Sequence, residues 1–148
     1  MDPNKDFEEL FELLNLNKVR YLLVGGYAYA IYVNPRYTKD IDIFYACKPK
    51  NAAKLLTTLQ QFGFDSLDID KKDLLNEGQV IQLGMPPYRI DLINQIDGVS
   101  FDEAWPNRET SKYGEQTINV IGKQDLIRNK SATGRDQDKL DVKNLKKS

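Results

Sequence analysis

Two aspartates alternate with two isoleucines in the stretch Asp40-Ile41-Asp42-Ile43, part of the segment RYTKDIDIFY. The branched and aromatic residues of this segment predict a β-strand over residues 39–46. Because alternate residues of a strand face the same side, the isoleucines point into a core and the two carboxylates stand together on the other face. Roughly 6–7 Å apart, at an effective dielectric constant of about 20, two negative charges repel by about 2–3 kcal/mol. The strand therefore predicts a sheet with one buried face and one face that requires a source of positive charge.

Size and composition limit the class of protein. The chain has 148 residues, of which 29% are charged and 41% hydrophobic, and this predicts one folded domain. Its net charge of −1 gives no indication of nucleic-acid binding, which would therefore require a local basic patch. The sequence has neither an apolar run near the ~18 residues of a membrane span nor the pattern of a signal peptide. We therefore expect a cytoplasmic protein with no membrane partner.

The chain lacks histidine and has a single cysteine, Cys47. An internal disulfide, a Cys/His zinc site and histidine-based acid–base or nucleophilic catalysis are therefore excluded. Any transfer or hydrolytic chemistry must depend on carboxylates, amines, hydroxyls or a bound cation.

Hydrophobic periodicity gives the order of the elements. It predicts a helix at 6–14, a buried strand at 19–24, a turn at Gly25-Gly26, a helix from Tyr27 and the aspartate strand at 39–46. Further along it predicts helices at 52–62 and 70–75, two strands within 80–94, a short helix at 101–105, a weak hairpin around Gly114 and a helical tail at 123–146. In the second of the two strands within 80–94, Asp91 shares a face with Arg89.

Taken singly, these features have ordinary explanations as well as functional ones. A Gly-Gly sequence between strand and helix is usually a tight turn, although it also suits a phosphate site at a helix N-terminus. The two-aspartate strand is either a solvent-facing edge or a cation site. Asp91 alone would more often be a simply exposed carboxylate.

Taken together, they resemble a known family. The segment LLVGGYAYAIYVNPRYTKDIDIF and the later RIDLI resemble the nucleotidyltransferase superfamily with the polymerase β-like fold, most closely its minimal and abortive-infection-type bacterial members. The likeness covers about 19–94 and continues in the tail segment DLIRNKSATGRDQDKLD. It implies an α/β (α+β) fold in which helices pack against a mixed β-sheet. The whole chain, 1–148, would form a single domain with a short helical tail at about 123–146.

The resemblance also implies a chemistry. Asp40, Asp42 and Asp91 would hold Mg²⁺ or Mn²⁺, which bridges the triphosphate of a bound NTP. Asp91 would complete a second metal site or accept the proton of the attacking hydroxyl. Gly25 and Gly26 would let the backbone approach the phosphates.

Several other residues are weaker candidates. Arg36 and Thr38 flank the aspartate strand and would contact the nucleotide, although a turn after Pro35 explains them equally well. Lys130 lies in the family-like tail and would meet triphosphate oxygens, although a lysine on a helix is usually solvated. Two nearby aspartates of the tail, Asp138 and Asp141, are interpreted as ordinary surface residues without a catalytic role.

The acceptor is the least defined part of the prediction. The resemblance implies transfer of a nucleoside monophosphate to a hydroxyl of a protein, an RNA or a small molecule. Many relatives carry a helical acceptor-binding domain, whereas only about 25 residues follow Gly122 here. A protein partner or a homodimer would then complete the acceptor site. The alternative is a non-catalytic or weakly catalytic binding module, such as the antitoxin or regulatory partner of a toxin–antitoxin pair. A structural Ca²⁺ site ranks last, because the loop-based ligand spacing of an EF-hand is missing.

Overall fold

The computed structural model describes residues 4–34, 40–64, 68–84 and 88–148. The first helix, α1, covers Lys5–Leu16 and begins at Asn4, whose Oδ1 accepts hydrogen bonds from the backbone N–H groups of Asp6 and Phe7. This cap satisfies donors that the first helical turn leaves unpaired. The apolar positions predicted to share one face of α1 are buried together: Phe7, Leu10, Phe11 and Leu14.

The remaining elements follow the predicted order closely. The helices are α2 (Gly25–Tyr32), α3 (Pro49–Leu59), α4 (Lys71–Leu75), α5 (Phe101–Ala104), α6 (Lys123–Thr133) and α7 (Asp136–Lys147). The strands are β1 (Tyr21–Val24), β2 (Asp40–Tyr45), β3 (Ile81–Leu83), β4 (Arg89–Ile93), β5 (Glu109–Tyr113) and β6 (Gln116–Val120). In the part of the chain that the structure describes, no helix has the length and apolar character needed to cross a membrane.

The six strands form one mixed sheet in the order β3-β4-β2-β1-β6-β5. The β2–β4 and β1–β6 pairs are parallel, and the other three neighbouring pairs are antiparallel. The sequence predicted a mixed sheet with helices against it, and the structure confirms it. The central position of β2 places its aspartates between β1 on one side and β4 on the other.

Strand parity in β2 separates core from site. Ile41 and Ile43 are 1% and 0% exposed, whereas the intervening aspartates are only partly buried. On the face of the isoleucines, Tyr21 of β1 pairs with Tyr45, and its ring packs at a tilt against Phe11 of α1, with the ring centroids 6.1 Å apart. On the face of the aspartates, Phe101 of α5 packs edge-on against Phe44 at 5.2 Å. Burial of one face therefore fixes the register that presents Asp40 and Asp42 on the other.

The C-terminal half differs from expectation in two respects. The weak hairpin around Gly114 is a pair of five-residue strands, and β6 joins the sheet through its parallel contact with β1. The predicted continuous tail is two helices, because Gly134 adopts a left-handed conformation with φ of 74° and ends α6.

The surface assignment of the tail aspartates is wrong. Asp138 and Asp141 are 3% and 0% exposed, and both accept hydrogen bonds from Nζ of Lys130, at 3.1 and 2.9 Å. Lys130 itself is 5% exposed. A lysine from α6 thus neutralises two carboxylates of α7 inside the helix pair, a pairing that the spacing of charges along one helix did not suggest.

Candidate functional site

The strands β2 and β4 bring three carboxylates and one guanidinium to the same face of the sheet. In the parallel register Asp40 pairs with Arg89, and Asp42 pairs with Asp91. Paired residues of neighbouring strands point to the same side, so Asp91 faces the same way as Asp40 and Asp42. The sequence predicted these three residues for one cleft, and the fold does bring them together.

Arg89 lies between two of these carboxylates. Its Nη2 is 3.1 Å from Oδ2 of Asp40 and donates to Oδ2 of Asp91 at 3.2 Å, and its Nε is 3.0 Å from Oδ1 of Asp91. These contacts raise the pKa of Arg89, chiefly through the hydrogen bond to Asp91. Part of the positive charge that the aspartates require is therefore supplied by the chain itself.

The surroundings of Asp42 disfavour the charged form of its carboxylate. Burial raises its pKa to about 6, and the negative charges of Asp91 and Asp40 add to the shift, while the positive charge of Arg89 opposes it. The space for this carboxylate exists because residue 25 is a glycine. A Cβ on Gly25 would collide with Oδ2 of Asp42, and Gly25 has a φ of 70°, which other residues rarely adopt.

One oxygen of Asp91 has a cationic neighbour but no hydrogen bond from the described residues. Among the described residues, Oδ1 of Asp91 is a buried side-chain oxygen that accepts no hydrogen bond. Arg89 Nε approaches it to ion-pair distance without the direction of a hydrogen bond. The ion pair offsets part of the cost of burying this oxygen, and its lone pairs can still accept a hydrogen bond or bind a cation.

The donor chemistry of these residues fits a divalent cation. Carboxylate oxygens are the ligands that Mg²⁺ and Mn²⁺ prefer, and Asp42 and Asp91 stand directly opposite each other with one oxygen unsatisfied. These side chains do not form a complete set of metal ligands in the structure. Within residues 4–34, 40–64, 68–84 and 88–148, no three His, Cys, Asp or Glu side chains converge tightly enough to hold a metal ion.

The start of α2 borders the carboxylates. Helix α2 follows β1 directly at Gly25-Gly26, with Val24 at its N-cap, no side-chain cap and no acidic residue in its first turn. The first N–H groups of a helix have no partner within it, and the helix dipole adds positive potential there. These backbone donors belong to the Gly25-Gly26 turn, for which the sequence predicted phosphate contact, and Gly25 lies against Asp42.

Lys130 does not join this group. It is buried between Asp138 and Asp141, where its ammonium also lies 5.8 Å from the centre of the Tyr29 ring. Arg36 and Thr38, the other two predicted nucleotide contacts, lie outside the described residues.

The tyrosines of α2 act in packing. Tyr29 is 6% exposed and accepts a hydrogen bond from Asn144 of α7 at 3.0 Å, and Tyr32 donates to the backbone carbonyl of Ile121 at 2.7 Å. Tyr27 packs against Tyr113 with ring centroids 5.7 Å apart. These three tyrosines pack α2 against the sheet and α7, and this packing positions the Gly25-Gly26 turn.

Sequence reasoning assigned no role to two polar residues of this face. Arg89 bridges Asp40 and Asp91, and Gln82 of β3 pairs with Asp91 in the antiparallel register. Because Arg89 and Asp91 are two residues apart on a strand, the sequence already placed them on the same face. The contribution of Gln82 depends on strand pairing, which the sequence does not specify.

Solved structures of other proteins show the same architecture. Lincosamide antibiotic adenylyltransferase LnuA, in a lincomycin-bound crystal structure, matches with a TM-score of 0.60 and 18% identity over 98% of this chain and 97% of that one. A putative nucleotidyltransferase from Thermotoga maritima matches with a TM-score of 0.59 and 14% identity, covering 97% and 86% of the two chains. The chain has the nucleotidyltransferase fold. A third match, an antigenic nucleotidyltransferase-like protein from Paracoccidioides brasiliensis, has a TM-score of 0.52 and 15% identity over 92% and 70%.

The nucleotidyltransferase fold accounts for nearly the whole chain, including α6 and α7. Sequence comparison alone does not reach it, since no protein-family profile and no curated protein matches this sequence. The structural matches do not separate the abortive-infection type from other nucleotidyltransferases.

Proposed function

We propose that this protein transfers a nucleoside monophosphate from an NTP to a hydroxyl group, with release of pyrophosphate. The observation that carries the proposal is the pairing of Asp42 with Asp91 on parallel strands, directly beside Gly25 at the N-terminus of α2, which has no side-chain cap. The site thus sets carboxylates next to backbone N–H donors, a combination suited to a metal-bound triphosphate.

The residues take separate roles in this proposal. Asp40, Asp42 and Asp91 would hold Mg²⁺ or Mn²⁺, which when bound neutralises charge on the phosphates. The backbone of Gly25 and Gly26 would contact phosphate oxygens from the N-terminal end of α2. Asp91, whose Oδ1 accepts no hydrogen bond from the described residues, would accept the proton of the acceptor hydroxyl.

The match with LnuA supports a small molecule as one class of acceptor. The match covers 97% of that chain, and its crystal structure is lincomycin-bound. We therefore include small-molecule hydroxyls beside protein and RNA as acceptors, with one catalytic domain formed by residues 1–148.

The experiment is a labelling assay with each α-³²P-labelled NTP and Mg²⁺ or Mn²⁺, with and without cell lysate and a panel of lincosamides and other hydroxyl-bearing small molecules. We expect label on an acceptor with wild-type protein and none with Asp42→Asn. Asp68→Asn, which changes an exposed carboxyl outside the site, is the matched control and should label normally. Folded wild-type protein that labels nothing under any of these conditions would contradict the proposal.

One observation favours a second candidate, a binding module without turnover. Arg89 already bridges Asp40 and Asp91, so part of the site is satisfied with no cation from solution. In that case wild-type protein binds NTP in calorimetry yet transfers nothing.

A further inference from the structure

A groove of about 380 Å³ lies at the end of β2 opposite the strand aspartates. Ala46, at its wall, is six residues beyond Asp40, which corresponds to about 20 Å along a strand. The charged side chains and the indole of its lining come from β1, α3 and α5 with their flanks: Arg20, Lys48, Lys50, Lys54, Asp102 and Trp105.

The lining carries a strong excess of positive charge. Four of these side chains are cationic and one is acidic, in a chain whose net charge is −1. Of the four cations, Lys48 forms an ion pair with that acid, its Nζ lying 3.6 Å from Oδ2 of Asp102, and both side chains are mostly exposed, at 63% and 77%. Such a pair is weak in water and leaves the groove positive.

The placement of the lysines strengthens this potential. Lys48 is the N-cap of the eleven-residue α3 and Lys50 lies in its first turn, which contains no acidic residue. The N-terminus of a helix is already its positive end, so cations there are unfavourable for the folded chain. A bound anion would offset both contributions at once.

Trp105 adds an aromatic wall that orients the guanidinium groups. Phe101 stacks near the indole ring at 5.5 Å, and the guanidinium carbons of Arg108 and Arg20 lie 3.9 and 5.4 Å from its centre. Planar guanidinium groups held against an aromatic ring are preorganised to bind phosphate oxygens. Cations interleaved with aromatic side chains are typical of surfaces that bind single-stranded nucleic acid.

We propose that this groove binds the phosphate backbone of a single-stranded nucleic acid. Lys50 and Lys54 are four residues apart on α3, so their side chains leave one helix face about 5–6 Å apart, a spacing suited to neighbouring phosphates. The volume accommodates a nucleotide unit and is too small for a duplex. This inference stands apart from the proposed transfer reaction, because none of the strand aspartates lines the groove.

The test is fluorescence anisotropy with labelled single-stranded RNA and DNA of about 15 nucleotides, at salt concentrations from about 50 to 200 mM. The variant K50E/K54E reverses the two lysines of the groove. The matched control, K139E/K143E, reverses two exposed lysines with the same spacing on α7 and gives the same net charge. Free mononucleotide and poly-glutamate of equal charge serve as competitors.

We expect K50E/K54E to raise the Kd for the strand at least tenfold and to reduce the salt slope by about 1.4, the value for two phosphate contacts on a single strand. K139E/K143E should bind as wild type does. The proposal is overturned if wild type does not bind at about 50 mM salt, or if both double variants weaken binding equally. It is also overturned if mononucleotide or poly-glutamate displaces the strand at equal charge concentration. Circular dichroism of both variants establishes that each is folded, and the Asp42→Asn variant should bind the strand normally even if it transfers nothing.

Discussion

Replacement of Asp42 by Asn should stabilise the protein in the absence of metal. Burial and the neighbouring carboxylates raise the pKa of Asp42 from 3.8 to about 6 in the folded protein. Between these values the folded chain binds more protons than the unfolded chain, so its stability falls as the pH rises through this window and stays reduced above it. A difference of about two pKa units corresponds to about 3 kcal/mol. Asn removes this penalty, and its amide N–H groups add a donor beside Asp91.

Urea denaturation in EDTA measures the effect. Asp42→Asn and wild type should have equal free energies of unfolding at about pH 4, and the variant should be more stable by up to about 3 kcal/mol at about pH 8. Asp68→Asn should show no such dependence. Addition of Mg²⁺ and NTP should reverse the order, since wild type gains about 2.7 kcal/mol at a hundredfold excess over Kd and the variant gains much less. A variant that is less stable than wild type at pH 8 in EDTA, yet equally stabilised by ligand, would refute the reasoning and make Asp42 a structural residue.

Three further substitutions test other parts of the site and fold. Asp91→Asn should retain Mg²⁺–NTP binding in calorimetry and lose transfer, because proton acceptance is lost while two carboxylates remain for the metal; loss of binding would contradict this division of roles. Gly25→Ala should lower the free energy of unfolding by about 1–3 kcal/mol and abolish NTP binding. The control is Gly134→Ala, because Gly134 has a similar positive φ with open space around it. This control should lower the free energy of unfolding only by the cost of backbone strain. Equal melting temperatures of these two variants would show that the contact with Asp42 has no energetic consequence. Lys130→Met should lower the free energy of unfolding by about 3–5 kcal/mol, because two buried carboxylates lose their shared cation, whereas the exposed Lys139→Met should change it by less than about 0.5 kcal/mol. A loss below about 1 kcal/mol for Lys130→Met would make the buried cluster energetically neutral.

The sequence specified the local elements and the faces of the strands, because both follow from periodicity within a few residues. It therefore placed Asp40 and Asp42 on one side of β2 and paired Asp91 with Arg89 on one side of β4. It did not specify which strands are neighbours, which is decided by contacts between distant segments. For this reason the approach of Arg89 to Asp40 across β2 and β4 was not predicted.

The environment of Lys130 was missed for the same reason. Asp138 and Asp141 follow it by eight and eleven residues, beyond the reach of a single helix face after the break at Gly134. Helix periodicity treated each charge as solvated, whereas the packing of α6 against α7 encloses all three. Where a glycine divides a predicted helix, the two resulting helices can pack against each other and bury charged residues that periodicity assigns to the surface.

The charge distribution within the site indicates where a cation from solution would bind. Arg89 contacts Asp40 of β2 and Asp91 of β4. The third carboxylate, Asp42, is the one whose pKa is raised. Among the described residues, Arg89 is the cation in contact with these carboxylates, and Asp42, which it does not contact, borders Gly25 at the N-terminal end of α2. A metal-bound triphosphate would bring a cation to Asp42 and anionic oxygens to the N-terminus of α2. Each charged part of the ligand would then meet a part of the site with the opposite charge. The same repulsion that destabilises the free protein is therefore the physical basis of its proposed selectivity for a metal-bound nucleotide.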